Sequence, residues 1–251
     1  MIVKKVLILN KKEGATPLEM LEQFRAKNQE YKDIKMTYAG RLDPMASGLL
    51  LVLVGEEVRN KEKYLMLPKE YEFEVLFGFA TDTYDILGKV KHSNILKNVR
   101  MSELENKIRE NLKYFIGKFM QSYPMYSSRT VKGKPLFTYA RAGKIVKIPE
   151  REVSVKSLKF FKIKKISPQK FLENIENRIG KVKGDFRQKE ILKIWRKKLN
   201  VKHRVFNIMS FKIKCGSGTY VRGIANSLGE KIGIPTLAFS IKRTKIGKWR
   251  L

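Results

Sequence analysis

The sequence is poor in the residues that build redox and metal sites. Its 251 residues include one cysteine, Cys215, and two histidines, His92 and His203, which are far apart in the chain. A single cysteine excludes an intrachain disulfide, a CxxC motif and a zinc knuckle, and it fits a reducing cytoplasm. Since histidine and cysteine ligands do not cluster in the sequence, we expect no metal.

Long hydrophobic runs are missing as well. The aliphatic run at residues 49–54 has six members, whereas a membrane-spanning helix needs about 20. The apolar stretch at the N-terminus is short and is interrupted by Lys4 and Lys5, which is typical of a strand and not of a signal peptide. We therefore expect no membrane segment and a cytoplasmic location.

Acidic residues are scarce relative to basic ones. The chain has 24 Asp and Glu against 54 Lys and Arg, a formal net charge of +30 at pH 7. So large an excess predicts a polyanionic partner, and nucleic acid is the first candidate. The alternative is a lysine-rich genome that raises lysine content everywhere, and composition alone leaves both open.

Hydrophobic residues make up 43% of the chain and aromatic residues 10%, which predicts a folded globular protein. Strands and helices alternate without βαβ regularity, so we predict an α+β fold with helices flanking a mixed, mostly antiparallel sheet, as one domain over residues 1–251. The predicted strands lie at residues 2–9, 49–54, 70–78, 153–164, 206–214 and 236–246. The predicted helices begin at two capping boxes and at three later positions: Thr16–Glu19, Ser102–Glu105, and near residues 167, 187 and 221.

Residues 37–55 form the most informative stretch, because a polar turn with one carboxylate, Asp43, runs directly into the aliphatic run. Pro44 disfavours a helical conformation at Asp43, so the carboxylate lies on an extended or turn backbone. A loop anchored on a buried strand is a common place for a functional group. The alternative is an Asp that only hydrogen-bonds its own turn.

Residues 121–151 mix aromatic and basic side chains, an arrangement that suits stacking on bases and neutralisation of phosphates. The alternative is an ordinary loop whose tyrosines pack on the sheet. The aromatic members are Tyr123, Tyr126, Phe137 and Tyr139, and the basic members are Arg129, Lys132, Lys134 and Arg141. From this group we expect Arg129, Lys132, Tyr139 and Arg141 to contact RNA.

Five blocks of residues, in the same order along the chain, resemble the TruB family of tRNA pseudouridine synthases. They cover about residues 5–165 and 206–250. The blocks are Gly40-x-Leu42-Asp43-Pro44-x-Ala46-x-Gly48-Leu49-Leu50; Lys69-x-Tyr71; Gly78-x-x-Thr81-Asp82-Thr83-x-Asp85-x-x-Gly88; Gln121-x-x-Pro124-x-x-Ser127-Ser128 with Tyr139-Ala140-Arg141-x-Gly143; and Gly218-Thr219-Tyr220-Val221-Arg222 with Leu228-Gly229 and Arg243-Thr244.

The resemblance implies the pseudouridine synthase fold with a central RNA-binding cleft. It implies that the protein converts a uridine of the tRNA T-arm, at position 55 in the T-loop, to pseudouridine without a metal or a cofactor. Two alternatives stay open. One is the same chemistry on another RNA, such as ribosomal RNA, and the other is a non-catalytic RNA-binding or RNA-folding protein.

The resemblance also implies roles for individual residues. Asp43 is the expected nucleophile, acting on either the base ring or the ribose C1′. Arg222 is expected to pair with it and to hold the carboxylate ionised and bidentately oriented. Tyr71 is the candidate acid or base, although a strand tyrosine is more often part of the core. The expected substrate-binding residues are Tyr38, Gly40, Arg41, Arg59, Tyr220, Ile241 and Arg243.

Tyr38 departs from the family pattern, which usually has a histidine five residues before the catalytic aspartate. The target uridine must leave the base stack of the folded T-arm, at a cost of a few kcal/mol. A phenol stacks as well as an imidazole but does not become cationic near neutral pH. We therefore expect Tyr38 to stack in place of the flipped base without carrying charge.

A second departure is an insertion at about residues 166–205, which we predict to be basic and helical. Residues 156–205 contain 17 Lys and Arg against 4 Asp and Glu. We expect the insertion to lie along the tRNA, with Arg196, Lys197 and Lys198 contacting phosphates. The alternative is a helical hairpin that pads the sheet and exposes a solvated charged face. We further expect a monomer without the C-terminal RNA-binding (PUA) domain that is common in the family.

Overall fold

The computed structural model describes residues 3–94, 100–201 and 204–251. Its strands are β1 (Val6–Lys11), β2 (Met36–Tyr38), β3 (Ala46–Val54), β4 (Lys69–Phe77), β5 (Phe79–Thr81), β6 (Val90–Ser93), β7 (Gly117–Ser122), β8 (Thr130–Val131), β9 (Lys134–Pro135), β10 (Glu150–Ile166), β11 (Phe206–Cys215), β12 (Thr236–Ile246) and β13 (Trp249–Arg250). Its helices are α1 (Pro17–Lys27), α2 (Lys61–Leu65), α3 (Met101–Leu112), α4 (Leu136–Arg141), α5 (Pro168–Gly180), α6 (Gln188–Leu199) and α7 (Val221–Ile232).

Nine strands of the described residues form one continuous sheet. Along its main path the strand order is β1-β3-β12-β4-β11-β10-β7, while β2 pairs with β3 and β13 with β12. Neighbouring strands run antiparallel except β3 and β12, which pair in parallel through residues 46–48 and 241–243. The predicted α+β fold with a mixed, mostly antiparallel sheet is confirmed.

Strand β4 lies between β12 and β11, and its alternating sequence explains this central position. Tyr71, Phe73 and Val75 belong to one hydrophobic cluster. Glu72 lies opposite Lys212 of β11, with 2.9 Å between Oε1 and Nζ. Opposite charges on directly paired residues favour this register over a one-residue slip, which would turn the apolar face to solvent. The strand predicted at residues 70–78 is therefore confirmed, and it carries Tyr71.

Helices cover both faces of the sheet. On one face, α3 and α7 pack against the cluster that contains Tyr71, and the apolar stripe of α3 (Leu104, Ile108 and Leu112) is buried. On the other face, the hairpin of α5 and α6 covers Leu76. Trp195 of α6 is fully buried, and its Nε1–H donates to the Ile86 carbonyl at 3.2 Å. The hairpin is thus a packed layer of the protein.

Two local predictions about element boundaries were wrong. The first strand spans Val6–Lys11, whereas the sequence predicts residues 2–9, of which residue 2 lies outside the described residues. The register of the strand is set by pairing with β3, with Val6 opposite Leu53. The capping box at Ser102 does not form, because α3 begins at Met101 and Ser102 already lies inside the helix. The box at Thr16 forms with both of its hydrogen bonds.

None of the helices within the described ranges combines the length and the apolar character that crossing a membrane requires.

Candidate active site

The resembling blocks converge on one cavity of about 800 Å³ beside the sheet. Its walls include the loop before β3, the turn after β5, the segment after β7, the connection between α5 and α6, the start of α7 and strands β4 and β12. Sequence reasoning predicted ten of the residues that line it: Tyr38, Gly40, Arg41, Asp43, Tyr71, Arg141, Tyr220, Arg222, Ile241 and Arg243. Folding therefore brings together residues that are up to 205 positions apart in the chain.

Buried residues and backbone hydrogen bonds fix the loop that carries Asp43. Leu42 is buried, and the Ala46 amide donates to the Asp43 carbonyl at 3.0 Å. The fully buried Lys11 donates its Nζ to the carbonyls of Pro44, at 3.4 Å, and Ala46, at 2.5 Å. Burial lowers the pKa of Lys11 to about 8, although Asp43 opposes the shift. The carboxylate is thus presented on a fixed backbone, with 40% of its side chain exposed to the cavity.

Arg222 is the partner of Asp43, and only 3% of its side chain is exposed. Its Nε donates to Asp43 Oδ2 at 2.8 Å. Its Nη1 donates to the Thr83 carbonyl at 2.8 Å and its Nη2 to the Tyr126 carbonyl at 2.9 Å. The expected bidentate pairing is therefore wrong, because both terminal nitrogens are used to hold backbone segments. Burial alone would lower the pKa of Arg222, but the carboxylates of Asp43 and Asp85 raise it.

Asp85 is a second carboxyl near Arg222 and, unlike Asp43, it is buried. It accepts from the Thr83 hydroxyl at 2.7 Å and from the Leu87 amide at 3.0 Å, both at Oδ1. Burial raises the pKa of Asp85 to about 6, although Arg222 and the Thr83 hydroxyl oppose the shift. These bonds close the turn after β5 on itself, so the Thr83 carbonyl has a fixed direction toward Arg222.

Two tyrosines contribute to the walls of the cavity. Tyr71 is buried on β4, and this burial raises the pKa of its phenol, so the hydroxyl keeps its proton at neutral pH. Tyr220 packs edge-on against Tyr123, with ring centroids 5.6 Å apart. Gln121 makes two hydrogen bonds to the backbone of Tyr220. Its Oε1 accepts from the Tyr220 amide at 2.9 Å, and its Nε2 donates to the Tyr220 carbonyl at 3.0 Å.

Arg243 supports the loop that carries Asp43 from within the protein. Only 1% of it is exposed, and it donates to the carbonyls of Leu49, Gly40 and Arg41 at 2.8, 3.1 and 3.3 Å. Gly48 makes this arrangement possible. It has a φ of +106°, and a Cβ there would lie 2.3 Å from the Arg243 carbonyl oxygen, so no other residue fits without moving the backbone.

Other residues predicted for the site lie away from the cavity. Arg59 is 82% exposed and pairs with Glu56 at 2.6 Å, and it is absent from the described lining. Three of the RNA-contact candidates after β7 lie outside the lining in the same way: Arg129 stacks on Tyr123, Lys132 is in the β8–β9 turn, and the Tyr139 hydroxyl donates to the Val131 carbonyl. Tyr123 itself is buried, so for this tyrosine the packing alternative holds.

The basic run of α6 is outside the cavity as well. Arg196 pairs with Glu176 at 2.7 Å, and Lys198 Nζ donates to Ser93 at 3.1 Å. Lys197 is exposed. His92 lies on β6, and His203 falls outside the described residues. Within the ranges that the structure describes, no group of three or more His, Cys, Asp or Glu is placed to hold a metal ion.

Sequence reasoning missed three residues that matter here. Lys11 supports the Asp43 loop although it belongs to none of the motif blocks, and its place at the end of an apolar strand is the signal that could have found it. Phe186 and Arg187, between α5 and α6, line the cavity. They were missed because the sequence of a short connection between two amphipathic helices does not indicate which part of the protein it will contact.

The chain is similar to known proteins over most of its length. Residues 27–179 match the family described as TruB family pseudouridylate synthase (N terminal domain). The tRNA pseudouridine synthase B of Ligilactobacillus salivarius is 33% identical over 248 residues, which are 98% of this chain and 68% of that protein. The enzyme of the same name from Aquifex aeolicus is 30% identical over 241 residues, 96% of this chain and 67% of that protein.

Among solved structures, a chain of a Cbf5-Nop10-Gar1 complex matches 98% of this chain with a TM-score of 0.56 and 17% identity. This chain spans about half the length of that one, 49%. The two therefore share the fold, which confirms the predicted pseudouridine synthase fold. Because the family match covers more than half of the sequence and relatives at 30% identity or more extend over nearly all of it, the chain belongs to the TruB family of pseudouridylate synthases.

Proposed function

We propose that this pseudouridine synthase acts on tRNA and converts the T-loop uridine at position 55 to pseudouridine, with Asp43 as the catalytic carboxylate. The observation that carries the proposal is the Asp43–Arg222 pair, in which a partly exposed carboxylate faces a cavity and a buried guanidinium orients it. The names of the relatives, tRNA pseudouridine synthase B, support tRNA as the substrate class.

The reaction breaks the C1′–N1 bond of uridine and rejoins the base to C1′ through C5. The proton on C5 is lost to water, and N1 gains a proton, so the product is an isomer of the substrate. The reaction needs a nucleophile or charge stabiliser, a way to hold the detached base, and a proton carrier. Asp43 supplies the first, on the base ring or on ribose C1′. Tyr220 forms a wall against which the uracil packs. Tyr71 supplies a protonated hydroxyl for a hydrogen bond to the base edge.

Access to the base requires that the nucleotide flips out of the T-arm. The cavity of about 800 Å³ falls within the range of about 300–1,000 Å³ that is typical of small-molecule sites, so it has room for one nucleotide. Tyr38 lies in its wall, and we propose that its ring stacks where the flipped base had been. The net charge of +30 favours binding of the phosphate backbone around the flipped nucleotide.

The test is turnover of an unmodified tRNA transcript labelled with tritium at uridine C5, because isomerisation releases that hydrogen to water. We expect the wild-type protein to release one equivalent per tRNA and none from a transcript with cytidine at position 55. Asp43→Asn should abolish release while tRNA affinity stays within about tenfold, since affinity comes mostly from phosphate contacts.

Three outcomes of this test would contradict the proposal. Turnover by Asp43→Asn would remove Asp43 from the mechanism. Release of tritium from a ribosomal RNA fragment but not from tRNA would show that ribosomal RNA is the substrate. Binding of tRNA by the wild-type protein without any release of tritium would show that the protein binds RNA without catalysing the reaction.

We propose further that the protein works as a monomer, and in the cytoplasm, where its proposed tRNA substrate is found. Light scattering of the protein alone and with one equivalent of tRNA would test the monomer.

A further inference from the structure

The connection between α5 and α6 enters the wall of the cavity. Phe186 and Arg187 from this connection line the same space as Asp43 and Arg222. The family match ends at Ile179, within α5, so it assigns nothing to these two residues. An arginine from this hairpin thus lies beside the catalytic pair without an assigned role.

Arg187 makes a compact set of contacts with two other segments. Its Nη1 lies 2.7 Å from Asp82 Oδ2 and 2.6 Å from the Tyr126 hydroxyl, and its Nη2 lies 3.3 Å from Asp82 Oδ1. The guanidinium also stacks on the Tyr126 ring, 4.2 Å from the centroid. The side chains of Arg187 and Asp82 are only 17% and 12% exposed. A two-pronged, nearly buried pair of this kind has more geometric specificity than a surface ion pair.

The two residues that Arg187 holds are next to the two carbonyls that hold Arg222. Asp82 precedes Thr83, whose carbonyl accepts from Arg222 Nη1, and Tyr126 supplies the carbonyl that accepts from Nη2. The turn after β5 and the segment after β7 are thus tied together twice, once by each arginine. Of these two arginine ties, the one made by Arg187 comes from the hairpin.

The hairpin connection is built to hold one conformation. Arg187 has a φ of +64°, which is strained for a residue with a Cβ. Its amide donates to Asp185 Oδ1 at 3.0 Å, and the Phe186 amide donates to Gln188 Oε1 at 2.8 Å. Gln188 Nε2 in turn donates to the carbonyls of Val182 and Gly184 at 3.0 and 2.7 Å. Strain of this kind persists only where surrounding contacts determine the conformation.

The base of the hairpin is fixed to the sheet. Arg178 of α5 pairs with Glu13 through both carboxylate oxygens, at 2.6 and 3.1 Å, and donates to the Phe239 carbonyl at 2.7 Å. Trp195 of α6 is fully buried and donates to the Ile86 carbonyl. The connection between the two helices therefore reaches Asp82 from a rigid support.

We propose that Arg187 is a positioning residue of the active site, which clamps Asp82 and Tyr126 so that the neighbouring carbonyls hold Arg222 against Asp43. This inference rests on the proposed function, because it gives Arg187 a role only through the catalytic pair. The hairpin then has a second purpose besides covering the sheet, since its connection completes the wall of the cavity.

The test compares Arg187→Gln with Arg109→Gln as a matched control. Arg109 also pairs with a carboxylate through two nitrogens, Nε and Nη2 to Glu105 Oε1 at 3.0 and 2.7 Å, and stacks on an aromatic ring, Phe160, at 4.7 Å. It lies on α3 outside the cavity. Both variants lose one positive charge, so the net charge and its long-range attraction for tRNA change equally.

We expect Arg187→Gln to lower kcat at saturating tRNA by about 10–100-fold, because small misplacements of a reacting group cost up to about 100-fold. KM and the salt dependence of tRNA binding should match those of Arg109→Gln. Arg187→Lys should recover part of the loss, since an ammonium can still reach Asp82. Combining Arg187→Gln with Asp82→Asn should cost no more than the larger single loss, because the two residues act as one unit.

Several results would overturn the inference. A raised KM with a flatter salt dependence would make Arg187 a phosphate contact. A lowered melting temperature with kcat equal to that of Arg109→Gln would make it a packing residue. If Arg187→Gln does not fold, Tyr126→Phe decides the matter, because it removes only the hydroxyl that Arg187 holds, and an unchanged kcat would refute the clamp. An inactive wild-type protein would refute the proposed function itself.

Discussion

Replacement of Arg222 by lysine tests the centre of the site, because it keeps the charge and removes the geometry. The guanidinium makes three charge-assisted hydrogen bonds, to Asp43 and to the carbonyls of Thr83 and Tyr126. A single ammonium that stays with Asp43 leaves both carbonyls without this donor. Each hydrogen bond to a charged group contributes about 1.5–3 kcal/mol. Arg222→Lys should therefore lower the free energy of unfolding by about 3 kcal/mol or more.

The loss is measurable as heat stability and as turnover. For a chain of this length 1 kcal/mol corresponds to about 2–4 °C in Tm, so we expect Tm to fall by about 6–12 °C. Tritium release at saturating tRNA, measured well below that Tm, should fall by about 100-fold, since the carboxylate of Asp43 loses its fixed orientation.

Arg109→Lys is the control for Arg222→Lys, because the Arg109–Glu105 pair is exposed on α3 and pairs of this type contribute only about 0.3–0.5 kcal/mol. It should change neither Tm nor kcat measurably. If Arg222→Lys keeps the wild-type Tm, the two carbonyl contacts do not hold the loops. If it keeps the wild-type kcat, orientation by Arg222 is not part of the mechanism.

Three further predictions concern other parts of the structure. Tyr38→Ala should slow turnover by the equivalent of about 1–3 kcal/mol, one stacking contact, while Tyr38→Phe and Tyr38→His stay close to wild type; a Phe variant as slow as Ala would show that the hydroxyl is the working group. Changing the basic run at residues 196–198 to Gln should weaken tRNA binding and flatten the slope of log K against log salt by about 0.7–0.9 for each phosphate interaction that the change removes, and an unchanged slope would leave the hairpin without a role in binding phosphate. Because the pKa of Asp85 is raised to about 6 in the folded protein, the folded state binds more protons than the unfolded state between about pH 4 and 6. The free energy of unfolding should therefore fall by up to ~3 kcal/mol as the pH rises through this window. Urea unfolding at a series of pH values measures this fall, and the Asp85→Asn variant should lack it.

Local sequence rules predicted much of the fold. The Thr16 capping box forms as predicted, and the apolar stripes of α3, α5 and α6 and the alternation of β4 follow the helix and strand periods of the sequence. These features depend on residues two to four positions apart, whose side chains meet within one helix or along one strand. The Ser102 box failed by the same logic, because a cap is decided by where the helix begins, and α3 begins one residue earlier.

The motif blocks predicted which residues line the cavity but not how they bind one another. Asp43, Tyr71 and Arg222 are all in its wall, yet the expected bidentate pair does not form, because Arg222 divides its nitrogens among three segments. Arg59, expected in the cleft, pairs with its neighbour Glu56 on the surface instead. Spacing identifies a residue type at a position, whereas the direction of its donors depends on backbone that arrives from elsewhere.

The sequence by itself determined the charge, the class of fold, the helix caps that form, and the loop that carries Asp43, because each follows from composition or from contacts between near neighbours. Only the tertiary structure decided that Arg222 reaches Asp43 across 179 positions and that Arg187 reaches Asp82 across 105. No periodicity links residues so far apart. Their meeting depends on the order of strands in the sheet and on the rigid placement of the hairpin, and both are set by the packing of the whole core.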